Sequence, residues 1–306
     1  MESMKNRKVK NLFWAGISLL AVLFIFHNSM YPVVQSDQQS GAVLRILNHF
    51  LSANGFHAAL TQFEVRKLAH IIEYFIFGCL FTGTVHMISE KPAELFSLEL
   101  FLFLAFPVVD ETIQMNYPGR TSSVSDVLID FVSCTVGMCI CRMIFSNSRA
   151  DKKNSVRSSA QTESAEDRFK RRIFTVITAL FILFIFHNSM FSGPQSGSMS
   201  GYVTNLLNRI LSAVSLPRQI SDHVVRKAAH FVEYFLFGIL VRITVRAYRK
   251  PILKSVFAGL FFLLFVPVLD ELIQMFHVGR TSSVLDVLLD FSGGVAGMLV
   301  CILTET

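Results

Sequence analysis

One half of this chain is a copy of the other. Shifting the sequence by 160 residues lays it over itself without a gap. The stretch LFIFHNSM at 23–30 recurs unchanged at 183–190. VRKLAHIIEYFIFGCLF from Val65 matches VRKAAHFVEYFLFGILV from Val225 at 11 of 17 positions, and the segments of 26 residues from Pro107 and Pro267 match at 18. A tandem repeat of this length must fold as two like units, so every motif is read twice. The expected organisation is a first module at 1–145, a linker at 146–169 and a second module at 170–306.

The repeated unit is apolar. Of the 306 residues 52% are hydrophobic and 16% charged, and the mean hydropathy is +0.50. A soluble domain carries about 25% charged residues. The Lys and Arg sit at the flanks of long apolar runs and form no continuous basic face, so the net charge of +6 points to a lipid bilayer and not to nucleic acid. Each module offers four runs close to the roughly 20 residues that cross a hydrocarbon core. These are 9–30, 67–87, 94–113 and 124–145, then 170–190, 227–247, 254–273 and 284–304. The pattern predicts an all-α membrane protein with eight transmembrane helices, arranged as two parallel four-helix modules. The first basic-apolar segment could be read as a signal peptide, but its copy at 173–190 lies mid-chain, so a retained span is expected.

Counting Lys and Arg sets the expected orientation. With the N-terminus in the cytoplasm, 19 of 28 fall on the inner side. Both termini and the Ser-, Lys-, Arg- and Glu-rich linker are then cytoplasmic, in the cell membrane. Ala42–Leu51 and Tyr202–Leu211 space apolar residues as amphipathic helices and are expected to lie in the outer interface. The five cysteines lie inside apolar runs and read as small hydrophobes, with Cys139 and Cys141 on different sides of one helix.

This orientation gathers the repeated polar residues at one membrane face. The second span opens with Arg66, Lys67, His70, Glu73 and Tyr74, repeated as Arg226, Lys227, His230, Glu233 and Tyr234. The third ends with Asp110, Glu111 and Gln114 after Pro107, repeated as Asp270, Glu271 and Gln274. The fourth follows Gly119, Arg120 and Ser122-Ser123 with Asp126 and Asp130; its copy carries Arg280 and Asp286. Ionisable groups at membrane depth are costly and face a bundle interior, so each set is expected to form one outward-facing polar pocket complete within its module. Five acids against Arg66, Lys67 and Arg120 leave an acidic surplus, which a divalent cation, shared protons or a cationic ligand would relieve. Simpler roles stand beside this. Asp126 and Asp286 could complete capping boxes with Ser123 and Ser283. Arg66 and Lys67 could be snorkelling anchors, and Gly119 and Gly279 turn residues. Gly137, Gly293 and Gly297 could serve close helix packing. His27 and Asn28 could reach the pocket from the first span.

The pattern RKxxHxxEYxxFG, then DExxQ, then GRxSSxxD ahead of a glycine-containing last span resembles the VanZ-like family over roughly 10–145 and 170–304. The resemblance implies a four-span bacterial inner-membrane module. Its namesake is associated with resistance to the glycopeptide antibiotic teicoplanin. The tandem duplication departs from that single-module pattern, as does His277-Val278 where the first module has Tyr117-Pro118. The function expected on these grounds is a cell-envelope membrane protein that binds a polar or lipid-linked cell-wall ligand at the outer leaflet and is linked to antibiotic resistance. A membrane enzyme on the same class of ligand is the alternative, with His70 or Glu73 as base, Asp110 and Glu111 on a metal and Arg120 clamping a phosphate or carboxylate. A transporter is a third reading.

Overall fold

The structure, a computed structural model, describes residues 2–56, 59–147, 164–191, 193–213 and 220–304. Their regular structure is helical: α1 Glu2–Ser29, α2 Val33–Ala53, α3 Gln62–Ile88, α4 Phe96–Gln114 and α5 Val124–Asn147, then α6 Ala165–Ser189, α7 Gly193–Ala213, α8 Asp222–Ala247, α9 Ile252–Met275 and α10 Val284–Thr304. A single 3₁₀ turn, Pro92–Leu95, leads into α4. The chain divides into two compact units, Met1–Arg157 and Ser158–Thr306. Residues 148–163 of the expected linker lie outside the described residues, and 165–169 already belong to α6.

Among the described residues seven helices are long and apolar enough to cross a membrane: Val9–Ser29, Gln62–Ile88, Pro92–Gln114, Val124–Phe145, Asp222–Ala247, Ile252–Met275 and Val284–Thr304. The eighth expected span falls in α6. There the apolar stretch Ile173–Phe186 is short, bounded by Arg168, Lys170, Arg171 and Arg172 before it and by His187-Asn188 after it. Large side chains on these helices point outward, with Leu20 65%, Met143 68% and Leu303 72% exposed. Apolar surface on that scale is at home in lipid and not in water. The chain is therefore a multi-pass membrane protein.

Within the first unit α3 is central, packed on α5, α1 and α4. Its core joins Val22 and Ile25 of α1, Tyr74 and Phe77 of α3, Phe103 of α4 and Cys134 and Met138 of α5. The second unit repeats this with Ile185, Tyr234, Phe237, Leu263 and Met298. The α3–α5 seam is close because small residues allow it. A methyl on Gly78 would overlap the Cys134 carbonyl, and one on Gly137 the Phe75 carbonyl. The thiols are all free; Cys139 is exposed while Cys141 is buried. Helix α4 continues through Pro107 to Gln114, which carries Asp110 and Glu111 to the same end of the unit as the start of α5.

The two amphipathic stretches belong to longer helices than expected, α2 and α7, each of 21 residues. Their polar first halves lack the apolar spacing by which the second halves were recognised. One contact fixes the chain's return to the bundle. Asn48 donates to the Leu60 carbonyl at 3.1 Å and accepts from the Leu60 amide at 2.7 Å; Asn208 does the same for Ile220 at 3.0 and 2.8 Å. A side-chain amide thus pairs a backbone that would otherwise end unsatisfied.

Candidate functional site

Three helix ends supply the polar groups of each unit. In the first, α3 brings Arg66, Lys67 and His70, α4 brings Glu111 and Gln114, and α5 brings Asp126 and Asp130. With Arg120 from the α4–α5 loop, these border a cavity of about 90 Å³. Arg226, Lys227, His230, Glu271, Gln274, Arg280, Asp286 and Asp290 border its counterpart of about 160 Å³. Each cavity is built from residues of one unit alone. Each space is large enough for several waters or a small polar group.

The rim is basic. Lys67 pairs with Asp126 at 2.7 Å and lies 4.7 Å from the Phe63 ring centre, and Arg66 pairs with Asp37 of α2. Lys227 meets Asp286 at 2.6 Å. Both basic residues are thus ion-paired to neighbouring helices. Arg120 is placed differently. Its Nε donates to the Tyr31 carbonyl at 3.1 Å and its Nη2 to the Asn28 carbonyl at 3.2 Å. Arg280 donates to the Phe191 carbonyl at 3.2 Å and to Gln274 Oε1 at 3.2 Å. Neutral acceptors hold both guanidinium groups in place. Burial, together with the like charge of Arg66, lowers the pKa of Arg120 below its ordinary value; burial and Arg226 do the same for Arg280. The turn that presents each arginine needs Gly119 and Gly279, whose φ angles are +78° and +77°.

The floor is acidic. Glu111 is buried and accepts the Ser123 amide at 2.8 Å, as Glu271 accepts the Ser283 amide at 2.9 Å. This replaces the capping box expected of Asp126 with Ser123. A carboxylate from α4 reaches the N-terminus of α5 first, and Asp126 is drawn to Lys67 instead. Glu111 therefore caps α5 through Oε2, and it stands outside the closest three-group convergence. The groups that do converge are His70, Asp110 and Asp130, and in the second unit His230, Asp270 and Asp290. One ligand atom from each residue lies within 4.8 Å of the others. His70 Nδ1 is 3.8 Å from Asp110 Oδ2 and 3.6 Å from Asp130 Oδ2. Gln114 donates to Asp110 Oδ2 at 3.1 Å, as Gln274 does to Asp270.

Asp130 and Asp290 are thus central, although the sequence offered them only as further charges on the last span. Their spacing of four residues from Asp126 and Asp286 was the available signal. Glu73 lies apart from this cavity. It accepts from Asn28 at 2.9 Å, and Glu233 accepts from Asn188 at 3.0 Å. Each faces a groove between the first three helices of its unit, about 400 Å³ beside α1–α3 and about 610 Å³ beside α6–α8. The latter is mainly apolar, walled by Phe181, Phe184, Val203, Leu207, Val232 and Leu236. Asn28 therefore joins the polar end, whereas His27 is taken up with the Tyr31 hydroxyl at 2.8 Å. Tyr74 and Tyr234 are fully buried in the core, outside the cavity lining.

A family model described as VanZ/LLP1 matches the chain twice, at residues 14–145 and 174–305. The two matches cover the two copies of the repeat. No curated protein and no solved structure matches the chain.

Proposed function

The chain belongs to the VanZ/LLP1 family, and on that premise we propose that each of its modules binds a lipid-linked cell-wall ligand at the outer leaflet, with Arg120 and Arg280 holding the ligand's anionic group. The observation that carries this is the setting of the two arginines. Each borders a small polar cavity and is fixed by neutral acceptors, so its charge is free to meet a phosphate or carboxylate. An amphiphilic ligand suits the neighbouring space as well. The cavity takes one small polar group, and the groove between α6, α7 and α8 offers an apolar bed for a chain. Each Glu–Asn pair sits where the two environments meet.

In this reading eight helices span the cell membrane as two modules the same way up, with both termini cytoplasmic. The bias of 19 of 28 Lys and Arg supports that orientation. Occupying or re-presenting a lipid-linked precursor outside the cell would change glycopeptide susceptibility, which links the site to teicoplanin-type resistance. The test uses purified full-length chain in nanodiscs and a polyprenyl-pyrophosphate cell-wall precursor, with binding read by native mass spectrometry. The double variant R120Q/R280Q should bind at least tenfold more weakly and lose the drug tolerance that the parent confers. A parent that does not bind the precursor, or a double variant that binds as well as the parent, would refute the proposal.

A further inference from the structure

We infer that each unit contains a binding site for a divalent transition-metal ion, with His70, Asp110 and Asp130 as ligands in the first and His230, Asp270 and Asp290 in the second. This inference stands on the geometry alone and does not depend on the ligand proposed above. The three groups converge at ion-pair distance but too far apart for direct hydrogen bonds of normal length. His70 Nδ1 stands 3.6 and 3.8 Å from its two carboxylate oxygens, and His230 Nδ1 stands 3.7 Å from Asp290 Oδ2. Those separations exceed a hydrogen bond, which runs to about 3.2 Å. They are close to the edge of a metal tetrahedron, roughly 3.4 Å for metal–ligand bonds near 2.1 Å.

The carboxylates need more than the imidazole and the glutamine amide supply. Asp110 and Asp270 are fully buried and Asp130 and Asp290 are 1% exposed. Asp110 Oδ1, Asp130 Oδ2, Asp270 Oδ1 and both oxygens of Asp290 have no hydrogen-bond partner. A buried carboxylate oxygen without a donor is expensive, and two such groups side by side more so. The rim cations Lys67 and Arg66 already serve Asp126 and Asp37. One dication among two carboxylates and an imidazole makes the set neutral. Gln114 and Gln274 donate to the same aspartates, which is the supporting contact that orients a metal-bound carboxylate. The arrangement also recurs intact in the second unit, where His277-Val278 replaces Tyr117-Pro118 at the cavity's edge.

One nitrogen and two carboxylates favour a first-row ion such as Zn²⁺ or Mn²⁺ over Mg²⁺ or Ca²⁺. His70 and Asp130 both line the cavity, so a fourth coordination position would open towards it. A water or a ligand oxygen could bind there beside Arg120.

Full-length chain, stripped with chelator in detergent, would be titrated with Zn²⁺ by calorimetry and with Co²⁺ by visible absorption. The expected result is two equivalents bound at micromolar affinity or tighter, with the ligand-field bands of four-coordinate Co²⁺. D130N and D290N should each remove one equivalent and the pair both. H86Q, whose ring stacks on Phe145, should keep two. X-ray absorption of the Zn²⁺-loaded parent reads the ligand set without any substitution. One imidazole with oxygen ligands supports the site; thiolate ligands overturn it. A folded parent binding less than one equivalent of either ion overturns it too, as does a D130N/D290N chain that still binds two.

Discussion

At the other end of the first unit lies a charge pair that its copy lacks. Glu99 of α4 is fully buried and paired with Arg142 of α5, whose guanidinium also lies 5.1 Å from the Phe96 ring centre. The positions equivalent to Glu99 and Arg142 in the second unit are Gly259 and Ile302. Removing one member of a buried pair leaves the other charge without compensation, which costs about 3–5 kcal/mol. Arg142 is 24% exposed on its side chain and can turn partly outward, so E99A should sit near the low end, about 3 kcal/mol. For a unit of this size that is a fall in Tm of roughly 10 °C. The double variant E99G/R142I installs the second unit's own uncharged pair and should recover most of the loss. The assay is thermal unfolding in detergent, followed by circular dichroism and by a fluorophore on each unit, so that loss in the first is read separately. E99A melting with the parent, or E99G/R142I melting no higher than E99A, would refute the reasoning.

Three further outcomes follow from the same geometry. G137L forces a side chain into the Phe75 carbonyl and should separate α3 from α5; the chain should express poorly, and normal yield and Tm would contradict the close seam. In a cysteine-free background, membrane-impermeant maleimide on intact cells should label N116C but not S89C, and the reverse pattern would invert the proposed orientation. E111Q exchanges the carboxyl group that caps α5 for an amide and should cost about 1 kcal/mol while metal stoichiometry stays at two; a lost equivalent would make Glu111 a ligand and not only a cap.

Seven of the eight expected spans and the duplication were legible because both are carried by residues near in sequence. Apolar runs of helical length need no partner to be recognised, and the copies lie in register along the whole chain. The polar end was legible as a set for the same reason. Its internal assignments were not. Whether Asp126 or Asp130 faces His70 depends on the rotation of α5 against α3, which the α3–α5 glycine seam fixes and which spacing alone does not. Glu111 reaches the Ser123 amide across the α4–α5 loop, a separation of 12 in sequence, and such a contact has no local signature. Glu99 carries no local signal, because its partner Arg142 lies 43 residues away.

The two ends of the repeat have diverged unequally, and this bears on what the buried charge is for. At the Glu99 end the copies use different chemistry: Glu99 against Gly259, Arg142 against Ile302, and buried Thr82 against buried Arg242. The same helix frame evidently closes there with quite different buried charge. At the other end both copies keep Arg-Lys, His, Glu-Tyr, Asp-Glu, Gln, Gly-Arg and both aspartates. If those groups only held the bundle together, an apolar arrangement would serve as well, since replacing buried ions by packed apolar residues is often neutral or stabilising by about 1–4 kcal/mol. The triple variant H70F/D110L/D130L should therefore melt no lower than the metal-free parent, and its first unit should lose metal and precursor binding while the second retains both. Unfolding of the first unit at a lower temperature than in the parent would mean that the acidic end is structural. Retained binding in a unit stripped of all three side chains would mean that its function lies elsewhere in the module.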